Sequence, residues 1–72
     1  MLNACVLIKI VPIKDPLNQI CSVLGVRKAY YTYGRFDIVA FLEVDDYKSM
    51  RSITGQINSF EGVRSTETLA EA

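Results

Sequence analysis

The chain contains no histidine and no tryptophan, only two cysteines and two prolines, and no long apolar run. Without histidine it lacks the side chain most used for acid-base catalysis at neutral pH and the commonest metal ligand. Zinc chemistry and most hydrolytic mechanisms are thereby excluded. Cys5 and Cys21 form no CxxC pair and cannot supply a dense disulfide framework, so neither a metal nor another cofactor is expected. No apolar run approaches the roughly 18 residues of a membrane span, and the N-terminus lacks the basic stretch, apolar segment and cleavage site of a secretory signal. The chain reads as cytoplasmic, with no membrane partner. Eight basic and eight acidic side chains cancel to zero net charge, which argues against a surface built to neutralise phosphates and so against direct nucleic-acid binding.

What is present is a globular composition, 50% apolar and 22% charged over 72 residues. Residues 1–72 therefore make one folded domain with no room for a second. A domain this small buries only about 60% of the surface of its unfolded chain, so oligomerisation is the expected support. The charges are unevenly spread. Lys9, Lys14, Arg27, Lys28 and Arg35 face only Asp15 in residues 1–35, whereas the acidic residues prevail in 36–72. Such asymmetry suits head-to-tail contact between copies, and equally suits plain solvation.

Residues 4–11 are rich in β-branched side chains and stop at Pro12, which predicts a first strand. Asp15-Pro16 reads as a helix cap followed by proline at the first helical position, with Leu17, Ile20, Cys21 and Leu24 on one face and Gly25 closing the helix. Residues 26–33 read as a second strand, Gly34-Arg35 as a tight connection, and residues 37–44 as a third strand in a hairpin with it. Asp45 or Asp46 caps a second helix with Tyr47, Met50, Ile53, Ile57 and Phe60 on its apolar side, ended by Gly62. The exposed side of that helix carries Lys48, Arg51, Asn58 and an unexplained Gly55. A fourth strand runs from Val63 to about Leu69. Gly25-Val26-Arg27 and Gly62-Val63-Arg64 echo each other at equivalent points, and the first half lacks about one helical turn relative to the second. The order βαββαβ predicts an α+β, ferredoxin-like sandwich: a four-stranded antiparallel sheet with both helices on one face.

In such a fold the second sheet face should be polar if it meets water. Strands one and three are instead apolar on both faces. Cys5, Leu7, Val39 and Phe41 should form one patch on the outer face, which predicts a dimer interface between sheets. Cys5 on this face and Cys21 on the helix side of the sheet are too far apart to pair, and both are expected to be small core residues.

Two polar segments are candidate ligand sites. Tyr33-Gly34-Arg35-Phe36-Asp37 places a cation, two aromatics, a carboxylate and a flexible glycine in five residues. Exposed amides at Gly34 with the Asp37 carboxylate would suit an amino-acid zwitterion, and the same residues suit an ordinary hairpin turn. The second segment is Arg64-Ser65-Thr66-Glu67-Thr68, polar on both faces as an edge strand often is.

Val-Leu-Ile-Lys-Ile in strand one, Gly34-Arg35-Phe36-Asp37-Ile38-Val39 at the hairpin and Glu61-Gly62-Val63-Arg64-Ser65-Thr66-Glu67-Thr68-Leu69 near the end together resemble a known family. It is the RAM domain (regulation of amino-acid metabolism), the effector-binding part of Lrp/AsnC-type transcription regulators. The resemblance implies a ferredoxin-like fold that dimerises through its sheets, with dimers assembled into a ring or disc. It further implies an amino-acid effector bound where dimers meet, lined by residues 33–37 and by Ser65, Thr66 and Thr68 from a neighbouring chain. Strand one starts within a few residues of Met1, so the chain resembles the stand-alone form, without a DNA-binding domain and acting on full-length regulators or metabolic partners. Tyr33 departs from the threonine often found there, and the first helix is short. The function expected is ligand-dependent assembly rather than catalysis; a purely structural oligomeriser or a small ferredoxin-like enzyme are the alternatives.

Overall fold

The computed structural model describes residues 1–12 and 14–72. The elements are β1 (Leu2–Ile10), α1 (Leu17–Cys21), β2 (Val26–Tyr31), β3 (Ile38–Val44), α2 (Tyr47–Ser59) and β4 (Val63–Ala70). They form the expected βαββαβ, ferredoxin-like sandwich. The sheet is antiparallel throughout, in the order β2-β3-β1-β4, so β1 and β3 are central and β4 is an edge as its two polar faces suggested. No helix among the described residues is long and apolar enough to cross a membrane.

The β1–β3 register runs from Leu2 opposite Val44 to Ile8 opposite Ile38. Because side chains alternate along a strand, Ala4, Val6, Ile8, Ile38, Ala40, Leu42 and Val44 all face the helix layer. They form the core with Ile20 from α1 and Ile53 and Ile57 from α2. The contacts place α1 over β2 and β3, and α2 over β4, β3 and β1.

The first helix departs most from the sequence reading. It has five residues against thirteen in α2, a deficit of more than two turns rather than one. Its N-cap is Pro16, not Asp15, whose carboxylate instead accepts the Leu17 N–H at 2.9 Å just ahead of the helix. It ends at Cys21 because the chain turns there: the Ser22 hydroxyl donates to the Gln19 carbonyl at 2.8 Å and the Val23 N–H to that of Ile20 at 3.2 Å. This turn rotates Val23 onto the core in place of Leu24, which is left 93% exposed. Cys21 is likewise exposed, its thiol beside the Ala29 carbonyl, so it is not a core residue. Among the described residues both cysteines are free, and they lie on opposite sides of the sheet as expected.

Gly25 and Gly62, the two members of the repeated triplet, both have positive φ, +102° and +100°. Each also sits where a Cβ would collide, Gly25 with the Ile53 side chain and Gly62 with the Lys14 backbone. The α1–β2 turn is therefore pressed against α2, and the α2–β4 turn against the segment leading into α1. Asp46, not Asp45, caps α2 by accepting the Ser49 N–H at 2.8 Å. That bond is the main cause holding the Asp46 carboxyl below the usual carboxylate range. Asp15 is lowered too, first by the Tyr31 hydroxyl that donates to it and then by the Leu17 N–H. The same hydroxyl bond ties edge strand β2 to the start of α1 and raises the Tyr31 phenol.

Two outcomes are expected. Gly55 lies mid-helix with open space where a Cβ would be, so Gly55→Ala should stabilise by about 1 kcal/mol, whereas Gly62→Ala should destabilise through its backbone clash; denaturant midpoints check both. The lowered Asp15 and Asp46 carboxyls contribute stability above the unfolded aspartate pKa of ~3.9. That contribution is lost as pH falls through their lower folded values. The melting temperature should thus hold down to about that pH and fall below it, less steeply in Asp46→Asn, which keeps a capping oxygen without the charge.

Candidate functional site

The connection between β2 and β3 spans residues 32–37 rather than the two residues expected, and hydrogen bonds within it hold its ends together. The Thr32 N–H donates to the Asp37 carbonyl at 2.9 Å, and the Thr32 hydroxyl to that of Phe36 at 3.0 Å. These two bonds close the loop on itself. Gly34 at its tip has φ +124° with open space around it, so backbone conformation alone requires glycine there. Tyr33 and Arg35 point into solvent, and Phe36 is half-buried.

Asp37 has a backbone partner that the sequence did not suggest. Its N–H donates to the Ile8 carbonyl at 2.9 Å and its carboxylate accepts the Ile10 N–H at 2.9 Å. The β1–β3 ladder ends at Ile8 and Ile38, so the side chain of Asp37 supplies the next rung that backbone pairing no longer can. β3 accordingly begins one residue later than expected. Lys9, the single charge of β1's outer face, reaches over and donates its Nζ to the Arg35 carbonyl at 2.8 Å. The loop is thus gripped from β1 by three hydrogen bonds. Lys9 was absent from the candidate residues, although a lone cation on an otherwise apolar strand face was the signal that marks it.

The β4 candidates divide between the two faces. Ser65 lies opposite Lys9 on the outer face, in the row that leads to the loop. Thr66 and Thr68 lie opposite Ile8 and Val6 on the inner face, and the Thr66 hydroxyl donates to Asn58 Oδ1 of α2 at 3.0 Å. With β1 between β4 and the β2–β3 loop, one chain does not gather residues 33–37 with Thr66 and Thr68.

The outer-face residues do come together. Cys5 is opposite Phe41, and Leu7 is opposite Val39. The patch is larger than expected, because Leu69 extends it beyond Cys5 and Tyr30 beyond Val39. The Tyr30 and Phe41 rings are tilted with centroids 6.0 Å apart, within the range of favourable aromatic pairs. Val39 is only 6% exposed, although it faces away from the helices; Leu7 and Tyr30 flank it. Phe41 and Leu69 remain open at 37% and 54%. Lys9 bounds the patch at one end, and the Arg27–Glu43 ion pair, at 2.9 Å, at the other. Among the described residues no group of histidine, cysteine or carboxylate side chains is placed to hold a metal ion.

No protein-family model and no curated protein matches the sequence. Solved structures do match. TTHA0845 from Thermus thermophilus is 30% identical, with all of this chain aligned to 94% of that one at a TM-score of 0.89. AsnC of E. coli is 21% identical at a TM-score of 0.79, with 97% of this chain covering 50% of AsnC. A transcriptional regulator from Neisseria meningitidis, NMB0573, solved as its L-Met complex, is 16% identical at a TM-score of 0.88, with 99% of this chain covering 49% of the regulator. The chain spans about half the length of these two regulators.

Sheet order, helix placement and these likenesses define an α+β domain of the ferredoxin-like class. The chain thus has the fold of a RAM-like domain of Lrp/AsnC-type proteins, as the resemblance of its hairpin and strand-four segments implied.

The grip on the loop has a measurable consequence. Asp37→Ala leaves the half-buried Ile10 N–H without its partner and should cost about 1–3 kcal/mol of stability, with Asp37→Asn retaining most of it because the amide oxygen still accepts. Urea unfolding of the two variants distinguishes a structural carboxylate from one free for a ligand.

Proposed function

We propose that this chain is an effector-binding and assembly module that dimerises through its outer sheet face and binds an amino acid where dimers meet. It works without catalysis, in the cytoplasm, on full-length Lrp/AsnC-type regulators or metabolic partners. The observation that carries this reading is the apolar outer face. Cys5, Leu7, Val39 and Phe41, extended by Tyr30 and Leu69, form a contiguous patch that the chain's own helices cannot cover. A self-complementary contact across a two-fold axis covers such a patch with its own copy. The division of Ser65, Thr66 and Thr68 from the loop fits a site completed by a neighbouring chain. The amino-acid class is supported by the L-Met complex of the Neisseria regulator, which shares this fold.

A purely structural oligomeriser is the second reading. It is favoured by the Asp37 carboxylate and the Lys9 ammonium, both bonded to the chain's own backbone.

Light scattering at micromolar concentration should find at least a dimer, and a monomer would remove both readings. Thermal shift across the twenty amino acids at millimolar concentration then separates them. Stabilisation by one or a few should follow RT ln(1 + [L]/Kd), about 2.7 kcal/mol at a hundred times Kd. Tyr33→Ala should reduce that shift without altering the unliganded melting temperature, since Tyr33 lies wholly in solvent. A flat response with assembly intact supports the structural oligomeriser.

A further inference from the structure

We propose that Lys28 and Glu67 orient and select the second copy on the outer sheet face: Lys28 of each chain meets Glu67 of the other, so that β2 of one lies over β4 of its counterpart. This rests on the sheet-face dimer proposed above and names the charged pair that decides which way round, and with which chain, that contact forms.

The outer face carries charge beside its apolar patch. Lys28 lies opposite Phe41 and Glu67 opposite Leu7, so both share the face of Cys5, Leu7, Val39 and Phe41, and both are exposed. The other charges along this face are engaged within the chain. Lys9 donates to the Arg35 carbonyl at 2.8 Å, the Asp37 carboxylate accepts the Ile10 N–H at 2.9 Å, Glu43 is paired with Arg27 at 2.9 Å and Glu71 accepts the Asn3 N–H at 2.6 Å. Among the described residues, Lys28 and Glu67 are the two charged strand residues of this face with neither an ion-pair nor a hydrogen-bond partner. Lys28 only lies over the Tyr30 ring, 5.5 Å from its centroid.

These two residues cannot serve each other within one chain. The order β2-β3-β1-β4 puts them on opposite edges of the sheet, three strand spacings or about 14 Å apart. A second sheet laid on this face removes water from both, and a charge that loses its water without gaining a partner is strongly unfavourable. Each therefore takes its counter-charge from the second copy.

Two arrangements set this face against itself about a two-fold axis. With the axis across the strands, β2 covers β2 and β4 covers β4, which gathers the Lys28 ammoniums of both chains at one edge and the Glu67 carboxylates at the other. With the axis along the strands, β2 of each chain covers β4 of the other. The row Lys28, Phe41, Cys5, Leu69 then lies over its own reverse, as does the neighbouring row Tyr30, Val39, Leu7, Glu67. Tyr30 stands above Glu67 of the second copy, and Lys28 stands one row away from it. Stacked sheets lie about 10 Å apart, a gap that lysine and glutamate side chains span when they reach from opposite sides. Opposite charges fix the register of an interface and like charges facing each other are costly. The axis along the strands is therefore the one selected, with the apolar patch closed between two attractive contacts.

Sedimentation velocity over a dilution series gives the concentration at which the chains separate into monomers, for the wild type, Lys28→Glu, Glu67→Lys, the double variant and Phe41→Glu. Both charged residues are exposed, so their reversal should keep the wild-type circular dichroism. Each single reversal should raise that concentration at least about tenfold, because it sets two like-charge contacts into every pair. The double variant, which exchanges the two signs, should return to within about threefold of the wild type. An equimolar mixture of the two single variants should form one-to-one pairs at a concentration where each alone is monomeric. Single reversals that leave the concentration unchanged would overturn the proposal, as would a double variant that holds together no better than either single one. If Phe41→Glu separates the chains while the charge reversals do not, the sheet-face reading stands and this pairing fails; a wild type that is monomeric at micromolar concentration removes both.

Discussion

The pairing of β1 with β3 is the contact on which the rest of this molecule depends. Its register, Ile8 on Ile38 through Leu2 on Val44, puts every second residue of both central strands into one apolar layer. The alternate residues are thereby committed to the other face, where Cys5, Leu7, Val39 and Phe41 become neighbours without further instruction. A one-residue slip would exchange the two faces completely. Asp37 guards one end of this register, its backbone N–H on the Ile8 carbonyl and its carboxylate on the Ile10 N–H.

The helix layer is matched unequally to that sheet. α2 runs over β1, β3 and β4 with a capped N-terminus, whereas α1 has barely more than a turn. An isolated helix of that length is unstable in water, so α1 is held by what surrounds it. Ile20 and Pro16 are fully buried, and Asp15 is joined to Tyr31 of β2. The turn that follows exchanges Val23 for Leu24 as the core residue and fits Gly25 against Ile53. The brevity of α1 thus leaves both a bare flank on α2 and an exposed leucine beside it.

At the hairpin, the fold itself takes up polar atoms that the sequence offered as candidate ligand groups. Asp37 and Lys9 bond to backbone groups of the loop and of β1, leaving exposed Tyr33, Arg35 and the amides around Gly34 as the groups that face outward. Three hydrogen bonds from β1 hold the loop. The polar residues of β4 lie across β1 from it, divided between two faces.

The sequence alone determined the order of elements, the antiparallel two-layer fold, the apolar outer face and β4 as an edge strand. Each rests on periodicity or on glycine and proline positions, which are local properties of the chain. It also pointed to the RAM-domain family through short segments at the hairpin and in strand four. Only the tertiary structure decided where α1 stops, because Val23 and Leu24 are equivalent in hydropathy and differ only in which one the Ser22 turn aims at the core. It also decided that Cys21 is exposed, that the hairpin connection spans residues 32–37, and that Asp37 serves the backbone of Ile10, 27 residues away. Those outcomes depend on partners distant in sequence, and no local pattern encodes which carboxylate will meet which unpaired N–H once the strands have closed.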